Sequence, residues 1–178
     1  LNKKVYIWKT AYLLAAGALV LLDQASKAWA ARRLRLGDPY EVIKGFLHFD
    51  YAENTGVAFS QLQNGGDPGR WALSALALIA ALAVLYFFWR TKRYDDRILG
   101  ACALLLAGIT GNLLDRIRLG FVIDFIDVQF GGWHYPTFNV ADSAICLGAL
   151  LLLLDLVVNS RKKKAEEKAV STEQPATD

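Results

Sequence analysis

The chain contains no methionine, only two cysteines and only two histidines among 178 residues. Cys102 and Cys146 both fall inside apolar runs, where they are expected as small hydrophobes. A disulfide framework or a metal centre would need more ligands in a suitable spacing. His48 and His134 form no HExxH pattern, which excludes zinc hydrolase chemistry of that kind, and no metal or other cofactor is expected. Without an initiator methionine, Leu1 is not expected to be the native start. Net charge is a modest +3, with the basic residues gathered near the ends of apolar runs. That distribution suits anchoring to lipid headgroups and excludes nucleic acid as the expected partner.

Apolar residues are abundant instead. They make up 54% of the chain, where a soluble domain typically has about 45–50%. Four apolar segments stand out, Thr10 to Ala31, Trp71 to Trp89, Ile98 to Leu114 and Val140 to Val158. A bilayer core needs about 20 helical residues, so all four are expected to span it. The first is too long for a signal-peptide core, and no small-residue cleavage site precedes the "DQASK" that interrupts it. The fold class expected is therefore a membrane all-α protein with a small β part, built as one domain over residues 1–160.

Orientation follows from Lys and Arg. "RTKRYDDR" between the second and third segments and "RKKK" after the fourth are rich in both, which places them and both termini in the cytoplasm. Arg32, Arg33 and Arg35 run against this assignment, but four spans put both termini on one side. The loops over residues 32–70 and 116–139 then face outward. In the first, Leu47, Phe49 and Tyr51 alternate with His48, Asp50 and Ala52, the period of a half-buried strand. "QNGGDPGRW" supplies a turn before the second span, and the second outward loop reads as a strand and a turn ending at Asn139, a helix cap. Residues 161–178 are polar and are expected to form a disordered cytoplasmic tail.

Polar residues inside spans are costly and call for a reason. Asp23, Ser26 and Lys27 lie near the outer end of the first span. Asn112, Asp115 and Arg116 occupy the outer end of the third, and Asn139 and Asp142 that of the fourth. All converge at one depth. Taken singly they have plain structural explanations: Asp23 and Lys27 are an i,i+4 pair, and Asp115 can neutralise Arg116 or Arg118. Asp155, about 20 Å further along the fourth helix than Asp142, belongs to the opposite interface. A small transporter would place such residues nearer the midplane. The cluster contains no cysteine or firmly placed histidine. A Ser–Lys arrangement of Ser26 or Ser143 with Lys27 stays open, but paired carboxylates are the economical chemistry. Two acids held close cannot both ionise, so one keeps a proton while the other activates water.

"DQASK" (Asp23 to Lys27), "NTGVAFS" (Asn54 to Ser60), "GNLLDR" (Gly111 to Arg116), "VIDF" (Val122 to Phe125) and "FNVADS" (Phe138 to Ser143) resemble the five sequence blocks of lipoprotein signal peptidase, or signal peptidase II. They occur in that family's order and spacing, with Val57 replacing an alanine. The resemblance implies a bacterial inner-membrane aspartic endopeptidase with four transmembrane helices and a periplasmic β-cradle. It would act, expected as a monomer, near the periplasmic face. Its substrate would be a diacylglyceryl-modified prolipoprotein, cut on the amino side of the lipidated cysteine, with membrane lipid as its surroundings and globomycin as inhibitor. The catalytic pair maps onto Asp124 and Asp142. Asp115 is the competitor, disfavoured because the adjacent Arg116 would hold it ionised. Asp23, Lys27, Asn54, Gly56, Asn112, Asp115, Arg116 and Asn139 match positions that shape the site and hold substrate. With Asn139 as N-cap, Asp142 takes the third helical position, where the macrodipole favours a carboxylate; Asp142 is then the expected ionised member and Asp124 the protonated one.

Overall fold

The computed structural model describes residues 3–56, 68–91 and 95–173, with side chains described over 8–56, 68–91 and 95–160. Val57 to Ser60 of "NTGVAFS", the turn over residues 61–67, residues 92–94 and residues 174–178 lie outside the described part.

Among the described residues, four helices and four strands are arranged as α1 (Lys3–Arg33), β1 (Tyr40–Ile43), β2 (Leu47–Asn54), α2 (Pro68–Arg90), α3 (Asp96–Leu119), β3 (Val122–Phe130), β4 (Trp133–His134) and α4 (Val140–Glu173). Pro68 opens α2 at a position where its missing N–H costs nothing. Gly120 closes α3 in the left-handed conformation, its N–H donating to the Arg116 carbonyl. Among the described residues, three helical stretches are long and apolar enough to cross a membrane, Pro68–Arg90, Asp96–Leu119 and Val140–Ser160. The 31 residues of α1 are long enough, but Asp23, Gln24, Ser26 and Lys27 dilute its apolar run. The polar segment 161–173, expected as a disordered tail, instead continues α4 as helix. Its Ala, Lys and Glu are strong helix formers, and a polar composition alone does not stop a helix that is already nucleated.

Helices α3 and α4 pack closest, and glycine permits it. A Cβ added at Gly108 would fall on the Ala141 carbonyl oxygen, and one at Gly148 would come within 2.9 Å of the Ala101 carbonyl oxygen. At the far end, the buried Lys9 donates to the carbonyls of Phe88, Trp89 and Thr91 at 2.9–3.0 Å, joining α1 to the end of α2. Cys102 packs there with Phe88 and Leu99, whereas Cys146 is exposed on α4 rather than buried.

The strands form one antiparallel sheet in the order β1-β2-β3-β4, and β2 occupies the segment whose alternation predicted a strand. Ile123 and Phe125 pack on Ala30 and Leu34 at the end of α1, with Phe49 and Tyr51 beside them. A register irregularity between Phe49 and Ala52 sets Ala52 opposite Asp124 and Asn54 opposite Val122. Phe125 and Ile126 both donate to the Phe138 carbonyl, at 3.0 and 2.8 Å. The strand segment carrying Asp124 is thereby tied to the chain entering α4.

Candidate active site

Helix α4 starts with a reciprocal cap. Asn139 Oδ1 accepts from the Asp142 N–H at 2.9 Å, and Asp142 Oδ2 accepts from the Asn139 N–H at 3.2 Å. This is a capping box with aspartate at its third helical position, and it locks the Asp142 carboxylate against the first turn. Its other oxygen, Oδ1, accepts from Asn112 Nδ2 at 2.7 Å, so α3 orients it from the side.

Asp124 enters from β3. Asn139 Nδ2 donates to its Oδ1 at 2.7 Å and Asn54 Nδ2 to its Oδ2 at 3.0 Å. Asn54 is held in turn by the N–H of Gly56, which donates to Asn54 Oδ1 at 2.9 Å. Gly56 has φ +88, a conformation L side chains rarely adopt and glycine adopts without strain. Asp124 is only 2% exposed. Burial pushes its carboxyl up to about 6; the negative charge of Asp142 adds to this, while the Asn54 and Asn139 donors and Lys27 oppose it.

A second cluster lies beneath. Lys27 Nζ sits 2.9 Å from Asp23 Oδ2, 3.0 Å from Asp115 Oδ2 and 2.9 Å from Asn112 Oδ1. All four side chains are buried. Gln24 Nε2 also donates to Asp115 Oδ1 at 3.0 Å, and Asp23 Oδ1 accepts the Ala141 N–H at 2.9 Å, a free donor of the α4 first turn. Asp115 is therefore spent on Lys27 and Gln24. The cation ion-paired with it is Lys27, where the sequence pointed to Arg116 or Arg118. Side chains successive on a helix diverge by about 100°, so neighbours in sequence do not face each other. Arg118 reaches Gln24 Oε1 at 3.3 Å, and half-buried Arg116 contacts the Asn112 carbonyl at 3.5 Å.

The Ser–Lys alternative is not assembled. Ser26 Oγ donates to the Asp23 carbonyl at 2.7 Å and Ser143 Oγ to the Asn139 carbonyl at 3.0 Å, both within their own helices. Lys27 Nζ is engaged by Asp23, Asp115 and Asn112 instead. Asp155 is bonded to Asn159 at 2.8 Å, far along α4 from this site.

Every site residue expected from sequence gathers here. The hydrogen bonds run unbroken from Asn54 through Asp124, Asn139 and Asn112 to Lys27, Asp23 and Asp115, with Asp142 bound to both Asn112 and Asn139. Two residues were missed. Gln24 lies inside a motif that was noticed only for its charges, and the contribution of Arg70, which donates to the Arg116 carbonyl at 2.7 Å, depends on a packing of α2 on α3 that has no sequence signal.

The chain is similar to known proteins over most of its length. The model of the Signal peptidase (SPase) II family matches residues 15–158. Lipoprotein signal peptidase of Syntrophus aciditrophicus (strain SB) is 39% identical over 155 residues, covering 85% of this chain and 95% of that protein. The lipoprotein signal peptidase of Bacillus pumilus (strain SAFR-032) is 33% identical over 153 residues, covering 86% and 96%. A bacterial membrane enzyme solved by the in meso method at 2.3 Å superimposes with a TM-score of 0.76 at 32% identity, covering 86% of this chain and 92% of that one. With the family match spanning residues 15–158 and relatives 33–39% identical over most of their own length, the chain belongs to the signal peptidase II family.

Proposed function

We propose that Asp124 and Asp142 are the catalytic pair with which this membrane peptidase removes signal peptides from prolipoproteins. The observation that carries the assignment is Asn139, which bonds to both acids: its side-chain amide donates to Asp124 Oδ1, and its backbone N–H donates to Asp142 Oδ2 while its Oδ1 accepts the Asp142 N–H. Among the described residues, Lys27 is ion-paired with Asp23 and Asp115, and Asp124 and Asp142 are held by asparagine donors instead. One acid is therefore best kept neutral, and buried Asp124 has the raised pKa.

Asp142 acts as the ionised base. It takes a proton from water, whose oxygen attacks the scissile carbonyl, while protonated Asp124 donates its proton to the carbonyl oxygen. Collapse of the tetrahedral intermediate breaks the C–N bond. The proton held by Asp142 passes to the leaving amine, and Asp124 recovers its own from the collapsing hydroxyl. The pair titrates as a unit.

The substrate in this reading is a diacylglyceryl-modified prolipoprotein cut before its lipidated cysteine, and globomycin competes for the same site. The enzyme works as a monomer. Helix α1 joins the three apolar helices as a fourth span in the inner membrane, with both termini cytoplasmic and the site near the periplasmic face. The Lys and Arg of the α2–α3 link and of the "RKKK" run support that orientation. The other polar residues of the five motifs shape the site and hold substrate.

A gel-shift assay on a diacylglyceryl-modified precursor tests the pair. Asp124→Asn and Asp142→Asn should each abolish cleavage while the protein still inserts and binds globomycin. Turnover by either inserted variant would remove that residue from the chemistry.

A further inference from the structure

The sheet reaches well past the helices that support it. Phe49 packs edge-on against Trp29 of α1 at 5.5 Å between centroids and pairs with Ile126 across the ladder. Ile126, Val128 and Phe130 share one strand face by alternation, so Phe130 continues the face that rests on the end of α1. It lies four residues further on, about 13 Å past that support.

Aromatic rings collect at this overhang. Phe130 stacks with Phe46 at 5.3 Å and with Trp133 at 6.1 Å, and Trp133 meets Tyr135 at 6.1 Å. Phe46, Phe130 and Trp133 nevertheless remain 39%, 54% and 57% exposed, beside exposed Ile43. The opposite face is polar. Register pairs Gln129 with His134, whose side chains point away from Phe130 and Trp133. On that side a cavity of about 400 Å³ is lined by Asp50, Asp127, Gln129 and His134, with Asp127 accepting from Gln129 Nε2 at 2.6 Å. The tip is thus amphipathic across the thickness of the sheet, with its aromatic side continuous with the side that meets the helix ends.

We propose that this aromatic tip, Phe46, Phe130 and Trp133, is seated in the headgroup region of the membrane leaflet next to the active-site end of the helices. The occupant of the exposed face is lipid. Aromatic side chains favour that boundary. The exposed Trp29 and Trp71, near the ends of α1 and α2 on the same side, are placed as such a belt would place them. Lys44, exposed in the turn between Ile43 and Phe46, supplies a cation for lipid phosphates. Resting on the overhang, the tip holds the sheet down beside Asp124, so that a lipid-bearing substrate and the acid pair stay at a common depth. The proposal rests on the membrane orientation given above.

The test uses the full chain in lipid nanodiscs. Subtracting the emission of Trp133→Phe from that of the wild type isolates Trp133, and the other four tryptophans cancel. The Trp133 component should lose most of its intensity when the lipid carries bromines near the headgroup end of its acyl chains, and should be protected from iodide in the water. Quenching by iodide would place the tip in water and overturn the proposal. Quenching by neither agent would mean that protein covers it, with the same consequence. No turnover is needed for this signal. Cleavage of a lipidated precursor by the same preparation tests the peptidase reading separately.

Discussion

Asn139 Nδ2 donates to Asp124 Oδ1 across 2.7 Å, a bond that couples the cap of α4 to strand β3. Asn139 is fully buried, and the remaining hydrogen of the same amide meets the Asn112 and Ile123 oxygens at 3.2 and 3.3 Å. The residue that starts the helix therefore also sets the distance between the two acids.

This bond has a pH signature. Asp124 sits at about 6 because burial disfavours its charge, so it carries its proton below that pH and loses it above. Cleavage that needs protonated Asp124 should give kcat/KM a basic limb near pH 6 in the wild type. The Asn139 donor favours the ionised form, so Asn139→Ala should move that limb upward as well as slow turnover. The lost cap costs about 1 kcal/mol of stability. A slowed variant with an unmoved limb would argue against Asp124 as the acid.

Lys27 neutralises two buried carboxylates, Asp23 and Asp115. Lys27→Met leaves both unpaired and should destabilise the fold by about 3–5 kcal/mol, measured by unfolding in lipid–detergent mixtures. Adding Asp115→Asn removes one of the stranded charges, so the double variant should unfold later than Lys27→Met alone. Additive losses would show that Asp115 does not depend on Lys27.

Gly108 lets α3 approach the first turns of α4. The Cβ of Gly108→Ala would also lie 2.6 Å from Ile145 Cγ1 and 3.1 Å from the Ile145 N, so α4 must shift with Asn139 and Asp142 on it. The expected cost is about 1–3 kcal/mol, together with a fall in kcat larger than for Gly17→Ala, where a Cβ meets nothing within 4 Å. Equal kcat in the two variants would show that α4 tolerates the displacement.

Much of this site is legible in the linear order of residues. A polar group in an apolar run is expensive, so Asp23, Lys27, Asn112 and Asp142 stand out wherever the chain is read. Three-residue spacing marks Asn139 and Asp142 as a cap and its partner. The alternation around Phe49 marks β2, whose Phe49 and Tyr51 pack beside the Ile123 and Phe125 core. Gln24 escaped because a neutral side chain beside two charges carries no separate signal, and the helical course of residues 161–173 escaped because composition measures solvation better than it measures helix continuation.

Sequence by itself determined the apolar helices, the polar residues that meet between them and the family, since periodicity, hydrophobicity and motif order are properties of the chain alone. Only the tertiary structure decided which acid is spent on which cation. Lys27 is 88 residues from Asp115 in the chain and Arg116 is its immediate neighbour, yet the packing of α1 on α3 brings Lys27 to 3.0 Å. Charges interact through space at distances set by packing, and that packing engages Asp115 with Lys27 while Asp124 and Asp142 both bond to Asn139.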